Sequence, residues 1–415
     1  MRPAPTSAAV DILDSRYSWV RLGITLLIST VGNVGMWAII VVMPAVEAEF
    51  GLDRASASIP YTTTMLGFAL GNLLIGRAVD RFGILPPLVA AALLIGLATS
   101  LAAASPSLAV LSVLQFLIGL GTAASFGPLM ADISLWFARR RGIAVAIAAS
   151  GNYVAGAFWP LMLAGVLEGQ GWRAVYLVLA VATVGIVIPL ALTLRRRVPA
   201  EALAGPGRMP GGAVRDAGLS TRALAWLLAL AGVGCCVAMA MPQVHIVALC
   251  VDLGFGPAVG AEMLAVMLAG GVVSRIVFGL LADRLGGVAT VLIGSTLQCL
   301  ALFLYLPFDG LMSLYIVSLI FGLSQGGIVP GYAIIVREYM PAREAGRWVG
   351  FVIMATILGM ALGGWLSGWI FDVTGSYQAA FLNGIAWNFL NIAILGFILL
   401  RGRQSGPRGG VPQPA

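Results

Sequence analysis

Two residues in this chain could do chemistry in surroundings that offer little else polar: Arg275 and His245. Arg275 lies in AEMLAVMLAGGVVSRIVFGLLADRLG, and Glu262 is the nearest charge on its N-terminal side. A guanidinium that deep in an apolar run costs at least ~3 kcal/mol if it faces lipid. It is expected to face a partner or a watery cavity, and a cavity with a fixed cation attracts anions. Its planar fork of donors suits a carboxylate, held by two parallel hydrogen bonds. His245 is the only histidine and lies near the middle of its own apolar run. An ordinary pKa of ~6.5 suits it to proton coupling, although a lone histidine on an apolar helix also serves as a hydrogen-bonded core residue. A neighbouring Arg275 would keep it neutral until an anion arrived, linking proton and anion binding. The pair implies a site for a small organic monoanion and a proton.

The elements that must hold such a site are apolar helices. Of 415 residues, 60% are hydrophobic and 10% charged, against about 25% charged in a soluble domain. An ordinary globular enzyme is excluded, and there is no nucleotide-binding glycine loop, metal cluster or nucleophile–base pair to argue for one. All 24 basic residues are arginine, spread along the chain rather than gathered on one soluble face, so nucleic acid is not implied. Cys235, Cys236, Cys250 and Cys299 fall in or at the ends of apolar runs and read as small buried hydrophobes, without metal or disulfide spacing. The polar N-terminus is too long for a secretory signal, so the first apolar run reads as a retained membrane helix. No cofactor or metal is expected.

Crossing a ~30 Å hydrocarbon core takes roughly 20 apolar residues. Twelve runs qualify, over about 20–43, 59–79, 84–104, 108–133, 142–167, 173–194, 223–251, 260–281, 288–306, 311–336, 346–370 and 377–400. The stretch rich in arginine, glycine and proline at 195–222 is the only long polar linker, dividing the chain into 1–194 and 223–415. The fold class is therefore an all-α membrane protein of twelve transmembrane helices in two six-helix bundles. With both termini cytoplasmic, 21 arginines lie on that side, Arg54 and Arg173 outside, and Arg275 within the bilayer. The positive-inside rule selects this orientation, and the all-helical spans imply a multi-pass protein of the inner (plasma) membrane. The external loops are mildly acidic, with Glu47, Glu49, Asp53, Asp252, Asp309 and Asp372.

The halves repeat. Gly76-Arg77-Ala78-Val79-Asp80-Arg81-Phe82-Gly83 follows the second run, and Gly279-Leu280-Leu281-Ala282-Asp283-Arg284-Leu285-Gly286 follows the eighth, 203 residues later. Gly119-Leu120 and Gly322-Leu323 keep the same offset. This repeated G-x-x-x-D-R-x-G resembles the signature of the major facilitator superfamily over nearly the full length of the chain. The resemblance implies two bundles related by an axis along the membrane normal, with substrate bound between them near the midplane. Gly76 and Gly279 would allow close helix approach. Asp80, Arg81, Asp283 and Arg284 would form ion pairs that stabilise a closed cytoplasmic face.

A closer resemblance is to the monocarboxylate transporters and the bacterial oxalate/formate-type carriers. It rests on Trp136-Phe137-Ala138-Arg139-Arg140-Arg141-Gly142 leading into IAVAIAASG, on Gly32-Asn33-Val34-Gly35-Met36-Trp37, and on His245 followed by Arg275. It implies that Arg275 binds the substrate carboxylate. Two departures bear on the substrate. Gly271 stands where animal members carry a proton-relaying aspartate, and the eleventh run lacks the lysine of the oxalate carriers. One buried cation neutralises one carboxylate and leaves a second unpaired, so a lactate-like monoanion is favoured over oxalate. Asn33, Asn152, Tyr153 and Tyr332 are the polar groups expected near the substrate, among other span-interior amides and phenols such as Tyr61, Gln115, Gln325, Asn383 and Asn388. Gly359-x-x-x-Gly363 and Gly364-x-x-x-Gly368 read as close-packing faces of the eleventh helix. The expectation is proton-coupled symport of a monocarboxylate by a functional monomer. An exporter of amphipathic compounds and an organic-anion exchanger are the alternatives.

Overall fold

The computed structural model describes residues 13–196, 198 and 217–404, and their regular structure is helical. The first half holds α1 (Arg16–Gly32), α2 (Val34–Phe50), α3 (Arg54–Phe82), α4 (Leu85–Ala102), α5 (Leu108–Thr122), α6 (Gly127–Ile133), α7 (Arg141–Ala182) and α8 (Ile188–Thr193). The second holds α9 (Thr221–Asp252), α10 (Pro257–Leu285), α11 (Gly287–Leu304), α12 (Leu311–Gln325), α13 (Ile328–Tyr339), α14 (Ala342–Thr374) and α15 (Tyr377–Gln404). Ten helical runs are long and apolar enough to cross a membrane. One of these, 142–193, turns back at Gly171 (φ 80°, ψ 172°), a backbone conformation open to glycine, and so makes two passes. α3 is 29 residues long but more polar than the others. With these two the long rods number twelve.

Local chemistry starts the helices where the chain turns. Asp53 caps α3 by accepting from the Ser56 N–H at 2.7 Å, Ser107 caps α5 and Ser220 caps α9. Three rods are broken near their middles. α1 gives way to α2 at Asn33, the α5–α6 rod passes through a 3-10 turn at Ala123–Ser125, and α12 gives way to α13 at Gly326-Gly327. The second and third breaks are separated by the 203-residue offset of the sequence repeat. In each half a rod crosses its neighbour at a glycine: Gly119 lies on the Thr64 carbonyl, and Gly322 on the Met267 carbonyl. Both members of these pairs keep the same offset.

Between the halves, α3 packs on α14, α7 on α10, and α2 on both α9 and α10. The two glycine faces of α14 divide this labour. Gly359 and Gly363 lie on the Val233 and Val237 carbonyls of α9 within the second half, while Gly364 and Gly368 lie on Tyr61 and the Arg54 carbonyl of α3 in the first. Large apolar side chains such as Val113, Val181, Trp226 and Met312 cover the outside, as a lipid-facing surface requires. Of the linker, 199–216 lies outside the described residues. The four cysteines are buried and free.

Candidate functional site

Arg275 lies on α10 with 6% of its surface exposed. Its Nε donates to the Gly326 carbonyl at 3.1 Å, where the break between α12 and α13 frees a backbone oxygen. Its Nη1 donates to the Ala149 carbonyl of α7 at 2.5 Å, across the boundary between the halves. The guanidinium carbon stands 4.3 Å from the centroid of the Tyr153 ring, a cation–π contact from the same helix as Ala149. A Cβ at Gly271, one turn earlier, would meet that ring at 3.5 Å, an ordinary contact. Among the described residues no carboxylate pairs with Arg275. Asp132 is taken by Arg21 at 2.8 Å, and Glu338 accepts from the Gly287 N–H. A buried guanidinium held only by neutral groups keeps its charge available to an incoming anion.

The other polar residues singled out from the sequence separate into groups. Asn152 accepts from Trp37 Nε1 through both its carbonyl, at 2.9 Å, and its side-chain oxygen, at 3.1 Å, which places it beside Tyr153 on the α2–α7 contact. Asn33 sits at the α1–α2 break and donates to the carbonyls of Ser29 and Ser125, while its Oδ1 is buried without a partner. On α12, Gln325 accepts from Gln243 at 2.5 Å, and its own Nε2 is buried and unpartnered. Tyr332 is fully buried and donates to Asn391 Oδ1 at 2.8 Å inside the second half, with no contact to Arg275.

His245 is placed differently from its expected position beside Arg275. Its Nε2 is 2.7 Å from the Gly364 carbonyl and its Nδ1 is 3.3 Å from the Tyr377 hydroxyl. A neutral ring protonated on Nε2 satisfies both contacts, with Tyr377 donating to Nδ1. The Tyr377 oxygen in turn accepts from Arg54 Nη1 at 2.8 Å. The charged neighbour of the histidine is therefore Arg54. α9 packs along α14 at Gly359 and Gly363, which brings His245 against Gly364.

Arg54 anchors a seam at the molecular end opposite the chain termini. Its Nη2 donates to Asp252 at 3.0 Å, and its Nε stands 3.1 Å from Glu47. The N–H groups of Arg54 and Ala55 donate to Asp372 at 2.9 and 2.7 Å. Phe371 and Tyr377 cover the guanidinium. The sequence shows these residues only as scattered charges in short loops. Their meeting depends on chain separations of up to 323 residues, for which no local signal exists.

At the terminal end the repeated loop motif is open. Arg81, Asp283 and Arg284 are exposed and make no ion pair among the described residues, and the Asp80 side chain lies outside them. The expected close approach at Gly76 and Gly279 is absent, since a Cβ at either would meet open space. Bundle closure lies at the distal seam instead. A further contact at this end was not evident from the sequence. Asp14, in the left-handed region at φ 55°, accepts from the N–H groups of Ala138, Arg139 and Arg140 at 3.0, 3.0 and 3.2 Å. Partial burial works to raise its pKa, but these donors outweigh it and hold the carboxyl below the ordinary carboxylate range.

Comparison with known proteins agrees with this architecture. A family model described as the Major Facilitator Superfamily matches residues 25–261 and 226–415. The chain is 29% identical over 331 residues to monocarboxylate transporter 13 of Bos taurus, spanning 79% of this chain and 75% of that protein. It is 31% identical over 284 residues to monocarboxylate transporter 11 of Homo sapiens, spanning 65% and 59%. A probable sulfoacetate transporter of Cupriavidus necator is 27% identical over 40% of this chain and 38% of its own length. The crystal structure of a bacterial homolog of the human lysosomal transporter Spinster, in an inward-facing and occupied conformation, superposes with a TM-score of 0.73 at 15% identity. That match covers 96% of this chain and 99% of the other.

Proposed function

The chain belongs to the major facilitator superfamily, and from that premise we propose that it is a secondary carrier of small, lactate-like monocarboxylates, moved with protons by alternating access. That it is a multi-pass membrane transporter follows from the family and the apolar rods. The substrate class rests on one observation: Arg275 is buried with no carboxylate partner among the described residues, held by two carbonyls and a ring. A carboxylate arriving there trades neutral acceptors for a charge-assisted, two-pronged contact. Tyr153, which touches the guanidinium, with Asn152 and Asn33 are the candidates to complete the site, and Gln325 joins them because its neighbour Gly326 touches the arginine. The names of the matched relatives, which include monocarboxylate transporters, point the same way. Arg21 and Arg54 are buried too but paired with carboxylates; the one unpaired charge of Arg275 favours a monoanion, since a second carboxylate would remain uncompensated.

The molecule works as one carrier with halves 1–194 and 223–415 joined by the 195–222 linker, both termini cytoplasmic, in the inner (plasma) membrane. The distal seam is then the outer gate, and the present conformation is closed to the outside. The test is uptake of radiolabelled lactate, pyruvate, acetate, oxalate and benzoate into proteoliposomes, with and without an inward proton gradient. Gradient-stimulated uptake of a monoacid is expected, reduced at least ~10-fold by Arg275→Ala. Arg275→Lys keeps the charge but loses the planar fork, so it should raise KM more than it lowers kcat. Oxalate preference, or uptake indifferent to Arg275→Ala, would overturn the single-charge site. Exchange without net uptake would favour an organic-anion exchanger.

A further inference from the structure

Six residues from five helices meet at the distal seam: Glu47 on α2, Arg54 at the start of α3, His245 and Asp252 on α9, Asp372 on α14 and Tyr377 on α15. Three carboxylates gather at Arg54, Glu47 and Asp252 on its guanidinium and Asp372 on its backbone N–H, and the hydrogen-bond pattern of His245 is that of a neutral ring, so the seam carries an excess of negative charge. The three acids are not equally served. Asp372 receives the first two N–H groups of α3, a helix N-terminus that favours an anion. Asp252 receives an aligned hydrogen bond from Nη2. Glu47 Oε2 and Arg54 Nε lie 3.1 Å apart, yet both atoms are buried and neither makes an aligned hydrogen bond. The guanidinium is 8% exposed, so that unmet donor is not turned to solvent.

We propose that the closed seam is a proton-binding site, taking up one proton on the carboxyl of Glu47. A neutral Glu47 removes one of the crowded charges, and the carboxylate without an aligned hydrogen bond is the one that loses least by taking the proton. Like charges crowded together favour such an uptake. With its side chain 21% exposed, Glu47 has a route to distal water. When the seam opens, the three acids separate and the proton returns to that water; nothing else is transferred. The closed form therefore holds the proton more tightly than the open one. Closure is strongest in acid and weakens as pH rises, the open-to-closed ratio growing by up to ~10-fold per pH unit.

The inference rests on the carrier reading, which requires a seam that opens and closes, but not on proton symport. Amide exchange on the full chain in lipid nanodiscs tests it, following peptides over 46–56 and 368–378 at about pH 6 and about pH 8, corrected for intrinsic rates. Wild type should exchange faster at the higher pH, and Glu47→Gln should stay protected at both. Equal wild-type protection at the two values overturns the proposal, and so does a Glu47→Gln variant as pH-responsive as wild type. Should that variant not fold, His245→Gln decides: a response it abolishes belongs to the imidazole, whereas one it leaves intact stays with the carboxylates. A wild type that exchanges no labelled acid in liposomes would sink the carrier reading and leave this pH response standing.

Discussion

Arg275 and Asp14 show how differently two charged side chains can be held. Arg275 gives its donors to neutral carbonyls in a dry place, so its charge is unspent. Asp14 is fully spent, its carboxylate accepting three successive N–H groups of the loop that opens α7. Because its folded pKa lies below the ordinary value of 3.8, its contribution is complete above that value and is lost as pH falls through the lower folded one. Amide protection of residues 138–140 should therefore be flat from neutral pH down to about 5 and fall only in stronger acid. Asp14→Asn tolerates the same backbone conformation but lacks the charge, and should loosen the loop and erase the acid step. A variant that keeps full protection and the acid step would show that another group holds the loop.

At the scale of elements, the repeat is a packing rule as much as a sequence pattern. Gly119 and Gly322 let one rod rest on a carbonyl of the next, and a Cβ would fall 2.0 Å from the Thr64 oxygen or 1.9 Å from the Met267 oxygen. Backbone cannot yield as a side-chain tip can, so Gly119→Ala and Gly322→Ala should each cost ~1–3 kcal/mol, read as a lowered Tm in detergent. Gly76→Ala, which meets open space, is the control expected to leave Tm unchanged. The rods themselves were legible because apolar length is written directly in the chain. The mid-rod breaks at Asn33, 123–125 and 326–327 were not, since each interrupts a run whose composition does not change. Arg275 was legible for the opposite reason, as a charge where none belongs. His245 meets Arg54 through Tyr377 rather than Arg275, because nearness along the chain is not nearness in space and the α9–α14 packing decides the latter.

For the whole molecule, the charges at the two ends divide the work of closing and orienting. The distal end is tied by Arg54, Asp252 and Asp372 across the halves. The terminal end carries most of the arginines, with the repeated loop motif exposed. In cells, an epitope at either terminus should be reachable only after the membrane is permeabilised, while a tag placed after Asp309 should be reachable in intact cells. The reverse pattern would invert the orientation and make the Arg54 seam an inner gate. Such a seam also explains why the acids of the distal loops, unremarkable one by one in the sequence, are concentrated at the ends of α2, α9 and α14.

The four buried thiols have a practical consequence. With none of them exposed, the native chain offers maleimides almost nothing to label. A single cysteine introduced in its place along α3 or α14 would report solvent access at that position alone, without first stripping the protein of its own cysteines. Moved residue by residue through the seam, it would chart which parts of the pathway are wet in each state.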